Sequence, residues 1–251
     1  LVESYVFRRA ICDIPTNSLR QTFATFSKKI RKDRYLESVK AAFLLLVSYR
    51  RFPKDDEFVR QIQTRNLYKW NRRSYWLRRF ENFGRKERVV VQDYTIEHIM
   101  PQNESLSPAW QSELGENWKE VQEKYLHTLG NLTLTGYNSE YSDRPFAEKR
   151  DMAGGFKQSP LKLNEGLGTC EHWNEDAIKE RALKLAKRAV DIWKDQQIPD
   201  ETLEFNLESY RSEARTPSTY SIDDHPYLAG GKTRELFEAL RQQVLELDEC
   251  V

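Results

Sequence analysis

The residues best suited to chemistry lie in one stretch of the chain. They are Glu97-His98-Ile99-Met100-Pro101-Gln102, then His127-Thr128-Leu129-Gly130-Asn131-Leu132-Thr133-Leu134-Thr135, then Asn138, and last Phe146 with Lys149-Arg150. Neighbouring side chains on a strand point to opposite faces, so a carboxylate beside a histidine can face a metal while the imidazole faces water. Phosphodiester hydrolysis asks for that division. A base must take a proton from water near neutral pH, and histidine suits the task. A hard cation must offset the charge that builds on the phosphate and the leaving oxygen, and it prefers carboxylate and amide oxygens. A hydrogen bond on the second imidazole nitrogen fixes tautomer and orientation. By residue type alone, bland readings stand beside this one. A Glu-His pair also ends exposed strands, His127 can cap a strand or support a neighbour, and Asn131 after Gly130 suits a left-handed turn. Cys170 and His172 make a single Cys-x-His pair, too little for structural zinc.

The elements that must position these groups are mixed. Tyr94-Thr95-Ile96, after the β-branched run Val89-Val90-Val91, predicts one strand, and Leu132–Thr135 predicts a second before Gly136. Ser142-Asp143-Arg144-Pro145 predicts a helix start, with Phe146 to Met152 following. The surroundings read as helical: Ser18 to Ile30, Glu37 to Tyr49, Leu67 to Phe83, Glu175 to Lys194, and Thr233 to Leu247 with Leu236, Phe237, Leu240, Val244 and Leu247 on one stripe. Residues 197–225, with Pro199 and Pro217, read as a polar linker. The expected class is mostly α (α+β), a helical domain with an embedded two-strand plus helix unit. The expected regions are 1–88, helical with a basic face; 89–196, the candidate catalytic unit and a closing long helix; and 197–251, a linker and acidic helical extension.

Composition narrows the setting. Of 251 residues, 31% are charged and 39% hydrophobic, which fits a globular protein. The longest apolar run, Ala41 to Val47, is far short of the roughly 20 residues that cross a bilayer, so no membrane is expected. Three scattered cysteines make no disulfide framework, and a cytoplasmic setting follows as an expectation. A net charge of +1 hides an asymmetry: Arg50 to Arg88 carries thirteen Lys or Arg against five acids, a local +8, whereas the chain from Asp200 onward is −7. A basic middle suits a polyanion. The aromatics among these arginines, such as Trp70, Tyr75 and Trp76, read first as the inward side of an amphipathic helix, and phosphate contact by Arg72 and Arg73 is the added reading.

The block from Glu97 to Arg150 resembles the HNH-type nuclease domain of GmrSD-like modification-dependent restriction endonucleases, and is similar to that of the phosphorothioate-sensing SspE nickases of phage defence. The resemblance extends over roughly residues 3 to 195, through Tyr5 with Arg8-Arg9, Phe52-Pro53-Lys54-Asp55 with Phe58, and Trp173, Ile178, Arg181-Ala182 and Trp193. It implies a ββα-metal (His-Me) finger and a metal-dependent DNA endonuclease or nickase in an anti-phage restriction system. It puts His98 at the general base, Asn131 at the asparagine that orients the base through its loop, Glu97 and Asn138 on the metal, and Lys149 and Arg150 on a phosphate-facing finger helix. Glu97 stands where related sites use Asp, and Asn138 where many use His, which favours Mg²⁺ or Mn²⁺ over a transition metal. The implied partner is double-stranded, modified DNA, with an upstream ParB-like nucleotide-hydrolysing domain on a longer chain. The competing reading is a catalytically inactive DNA-binding or regulatory module. The role of His127 stays open between a supporting residue and a strand cap.

Overall fold

The computed structural model describes residues 1–26, 29–214 and 230–248. Helices α1 (Val2–Ile11), α2 (Leu19–Phe26), α3 (Tyr35–Leu44), α4 (Asp55–Thr64) and α5 (Arg73–Asn82) come first. Strand β1 (Thr95–His98) is followed by α6 (Pro108–Leu114) and α7 (Trp118–Tyr125), and β2 (Leu132–Thr135) returns antiparallel to β1. The single turn α8 (Asn138–Tyr141), the short α9 (Phe146–Asp151) and the long α10 (Glu175–Ile192) follow, then α11 (Asp200–Ala214) and α12 (Gly231–Asp248). The protein is mostly helical, of α+β class. No helix among the described residues is long and apolar enough to cross a membrane.

The chain divides into two compact units, Leu1–Leu203 and Glu204–Val251. The first holds every candidate site residue. Its largest core joins regions that the sequence suggested treating apart: Phe7 of α1, Phe58 of α4, Trp76 and Phe80 of α5, Leu132 and Leu134 of β2, and Leu185 and Trp193 at α10 are buried together. Phe7 stacks on Trp193 with ring centroids 3.8 Å apart. Burying side chains of this size contributes about 1.5–3 kcal/mol each. Arg8, fully buried, ties the same elements by donating to Trp193 O (2.6 Å), Pro53 O (3.1 Å) and Asp55 Oδ1 (2.6 Å).

Several boundaries differ from the sequence reading, each for a local reason. Val89–Val91 forms no strand, because β2 ends at Thr135, opposite Thr95, and offers nothing to pair with; Val91–Asp93 is a 3₁₀ turn that buries Val91. The helix expected from Leu67 starts only at Arg73. Residues before it are held in a loop, since Leu67 N donates to His127 O and Asn66 Oδ1 accepts from Lys69 N. The helix expected to reach Tyr49 ends at Leu44, before Ser48 takes a positive φ of 54°. Asp200–Ala214, expected as linker, is helical, with Asp200 and Glu201 in its first turn where the helix dipole favours acids. Residues 215–225 of that expected linker lie outside the described residues. Helices α1 and α4 lie in the stretch expected to be helical but had no bounds of their own, and α6 and α7 lacked a sequence expectation.

Candidate active site

The β1–β2 hairpin pairs Glu97 with Thr133 and His98 with Leu132, so Glu97 and His98 leave the strand on opposite faces. Two internal clamps hold the hairpin. Asn131, fully buried, accepts from Met100 N (2.8 Å) and Trp173 Nε1 (3.2 Å) through Oδ1, and donates through Nδ2 to Met100 O and Leu126 O, both 3.0 Å. Its carboxamide is fully used, and it fixes the loop two residues beyond His98. Asn131 is not in the left-handed region, so the turn reading gives way to this clamp. The second clamp is Arg181 of α10. It donates to Leu129 O (3.2 Å), Gly130 O (2.6 Å), Leu132 O (3.0 Å) and Leu163 O (2.8 Å). A side chain at Gly130 would collide with Ile178 O, so glycine is required for α10 to approach this closely.

On one face, His98 Nε2 lies 3.0 Å from His127 Nδ1. Tyr68 covers both rings: it stacks on His127 (centroids 5.1 Å, planes 13° apart) and meets His98 edge-on (4.5 Å, 72°). Whichever nitrogen donates, the contact occupies Nε2 of His98 and leaves Nδ1 as the nitrogen for other chemistry. Burial, reinforced by His127 and Lys149, pulls His98 down to about 3, so the ring is neutral at physiological pH. His127 is also lowered, by burial and by Lys69, but remains partly exposed. Tyr68 had no sequence signal as a site residue. It reaches the histidines because Leu67 is bonded to the His127 carbonyl, a contact without local pattern.

On the other face, Lys149 of α9 is fully buried and its Nζ lies 2.6 Å from Glu97 Oε1. It also donates to His98 O (3.3 Å) and Ile99 O (3.2 Å). Burial pushes the Glu97 carboxyl up to about 7 although Lys149 pulls it down, and the charge of Asp143 adds to the rise. Burial lowers Lys149, while Glu97 and Asp143 raise it. Lys149 was expected to touch phosphate. Three residues after Phe146, it instead shares that residue's inward face and is out of reach of a ligand at the surface. Arg150 is bonded to Cys170 O (2.8 Å) and paired with Asp151 (2.6 Å). Arg72 and Arg73 are exposed at the start of α5, and Arg73 lies over the Tyr68 ring at 5.4 Å.

Asn138 is exposed and opens onto a cleft with Tyr68 and Arg73, whereas the Glu97 carboxylate is buried against Lys149. Among the described residues, no group of three or more His, Cys, Asp or Glu is arranged to hold a metal. A magnesium-like ion needs less: one or two carboxylates, with water and substrate phosphate completing its shell. Glu97 is a hard oxygen donor of the right kind, but it is buried and already paired with Lys149 at 2.6 Å, so it is open to a cation only if that pair separates. Cys170 donates to His172 O and His172 sits 3.4 Å from Glu113.

Residues 52–188 match the family model described as GmrSD restriction endonucleases, C-terminal domain. No curated protein and no solved structure matches the chain.

Proposed function

Since the chain belongs to the family of GmrSD restriction endonuclease C-terminal domains, its role is that of a nuclease, and we propose that it hydrolyses DNA phosphodiester bonds through a ββα-metal finger built from β1, β2 and α9, with His98 as general base. The observation that carries this reading is the commitment of His98 Nε2 to His127 at 3.0 Å. A neutral imidazole with one nitrogen engaged presents the other as an acceptor of fixed orientation.

In the proposed reaction, His98 Nδ1 takes a proton from water as the water oxygen bonds to phosphorus. The P–O3′ bond breaks, and its electron pair leaves on the 3′ oxygen. Asn131 supports the base by anchoring Met100, and His127 with Tyr68 holds the ring. Arg72 and Arg73, exposed beside the cleft, contact backbone phosphates of a double-stranded substrate. Glu97 and Asn138 would hold Mg²⁺ or Mn²⁺ only once Lys149 releases the carboxylate that it now pairs with at 2.6 Å; the ion, when bound, would supply Lewis-acid stabilisation of the phosphate and leaving oxygen. One finger of this kind cuts one strand, so the chain nicks.

A second reading has its own support. The Glu97 carboxylate is already met by Lys149 at 2.6 Å, and a hairpin locked in this way suits an inactive module that only grips DNA. Supercoiled plasmid incubated with Mg²⁺, Mn²⁺ or EDTA separates the two. Nicking that needs metal and falls at least about 100-fold in His98→Ala supports the enzyme. A gel shift without cutting in any metal supports the inactive module. Cutting by His98→Ala at the wild-type rate removes His98 from the mechanism.

A further inference from the structure

Tyr68, whose ring meets His98 edge-on, also lines a cleft of about 440 Å³. Its construction is uneven in a way that chemistry can read. The floor is apolar, from Leu77 of α5 and Leu134 of β2, both almost fully buried. Two aromatic rings, Tyr68 and Tyr94, contribute to the lining. The rim carries exposed hydrogen-bonding groups of two kinds: the Arg73 guanidinium and the carboxamides of Gln92 and Asn138. An apolar floor with aromatic sides suits a flat, uncharged ring system, and a carboxamide such as that of Gln92 pairs with the edge of a nucleobase.

We propose that this cleft binds one nucleobase, turned out of the duplex beside the phosphate attacked by the water that His98 activates. The proposal rests on the nuclease reading for its location next to the scissile bond, but base binding in the cleft is measurable without cutting. A phosphate site alone would place its cations around a polar floor. Here a single arginine stands at the rim and leucines form the floor. Turning a base out costs a few kcal/mol of stacking and pairing. That cost falls at mismatched or weakly paired positions, which gives the cleft a means of favouring some sites without reading the groove.

The test titrates the 251-residue protein with each of the four deoxynucleoside 5′-monophosphates, with 2-deoxyribose 5-phosphate and with inorganic phosphate. The readout is the side-chain amide signals of Gln92 and Asn138 by NMR. The expected result is that nucleotides move both signals and bind at least about tenfold more tightly than the sugar phosphate, a difference near 1.4 kcal/mol. Thr95→Trp, at an exposed position lining the cleft, should fill it and abolish the nucleotide response, and Gln92→Ala should weaken binding with the fold untouched. Sugar phosphate binding as tightly as nucleotide overturns the proposal. So does the absence of shifts at millimolar nucleotide, or a response that survives both variants. Plasmid nicking measured in parallel keeps the two readings apart. His98-dependent cutting without base binding sinks the cleft alone, and base binding without cutting sinks the nuclease reading of this chain.

Discussion

Two buried cations grip the same hairpin, and they do so by different means. At the β2 side, Arg181 spends its guanidinium on four backbone carbonyls and, among the described residues, forms no ion pair. At the β1 side, Lys149 holds two carbonyls and the Glu97 carboxylate. Burial alone lowers Arg181, to about 9, so its charge is constant through the physiological range. Lys149 is tied to a carboxyl that titrates near neutrality. The scaffold side of the hairpin is thus held by dipoles that do not change with pH. The chemical side is held by a pair whose charge can change with pH or with an incoming cation or phosphate.

Arg181→Met breaks the contrast most severely. It leaves four carbonyls without their donor at a cost of about 1–3 kcal/mol for each buried group left unpaired, enough to unfold a protein of ordinary stability. Urea denaturation should show loss of the cooperative transition, or a midpoint far below that of wild type. A change under about 1 kcal/mol would mean that the carbonyls find other donors and that Arg181 is not a clamp.

Lys149→Met should cost about 3–5 kcal/mol at pH 8, because it strands a buried carboxylate. The sign with pH follows from Glu97. Its folded pKa lies above its unfolded one, and removing Lys149, which pulls it down, raises it further. Stability from a raised carboxyl is present at low pH and lost as pH climbs through the folded value. The deficit against wild type should therefore shrink toward pH 5, and Glu97→Gln in the same chain should recover much of it at pH 8. A deficit independent of pH would show that Lys149 acts on the carbonyls alone, as Arg181 does.

Asn131→Ala sharpens the comparison with a neutral clamp. It frees the Met100 N–H and the Trp173 indole N–H, for about 2–3 kcal/mol of stability. Nicking should fall further than His98-independent DNA binding, since the loop beyond the base loses its anchor. Equal losses in both would reduce Asn131 to a purely structural role.

The smallest expected effect comes from His98→Asn. Because folding depresses His98, its contribution to stability is complete above the unfolded value near 6.5 and is lost as pH falls toward about 3. The variant should lose less thermal stability than wild type on acidification through that window. Parallel curves would indicate that His98 is not buried as a neutral ring in solution.

The chain itself determined more of the site's framework than of its wiring. Leu132–Thr135 carries the apolar and β-branched residues of a strand, here buried on both faces, and Pro145 opens α9 as its fixed φ allows. The strand at Glu97-His98 and the long α10 were legible from the same short-range patterns, because strand and helix periods are written in consecutive residues. Tertiary structure decided which groups meet. A six-residue helix is too short for periodicity to mark its inner face, so Lys149 read as a surface cation until packing set it beneath the strand with Glu97, 52 residues away. His127, 29 residues from His98, and Tyr68, fixed through a backbone bond to the His127 carbonyl, became neighbours of the base by folding alone. Desolvation completes that division. The same glutamate and histidine in an open chain would titrate at ordinary values, and only burial on opposite faces of β1 moves Glu97 up and His98 down.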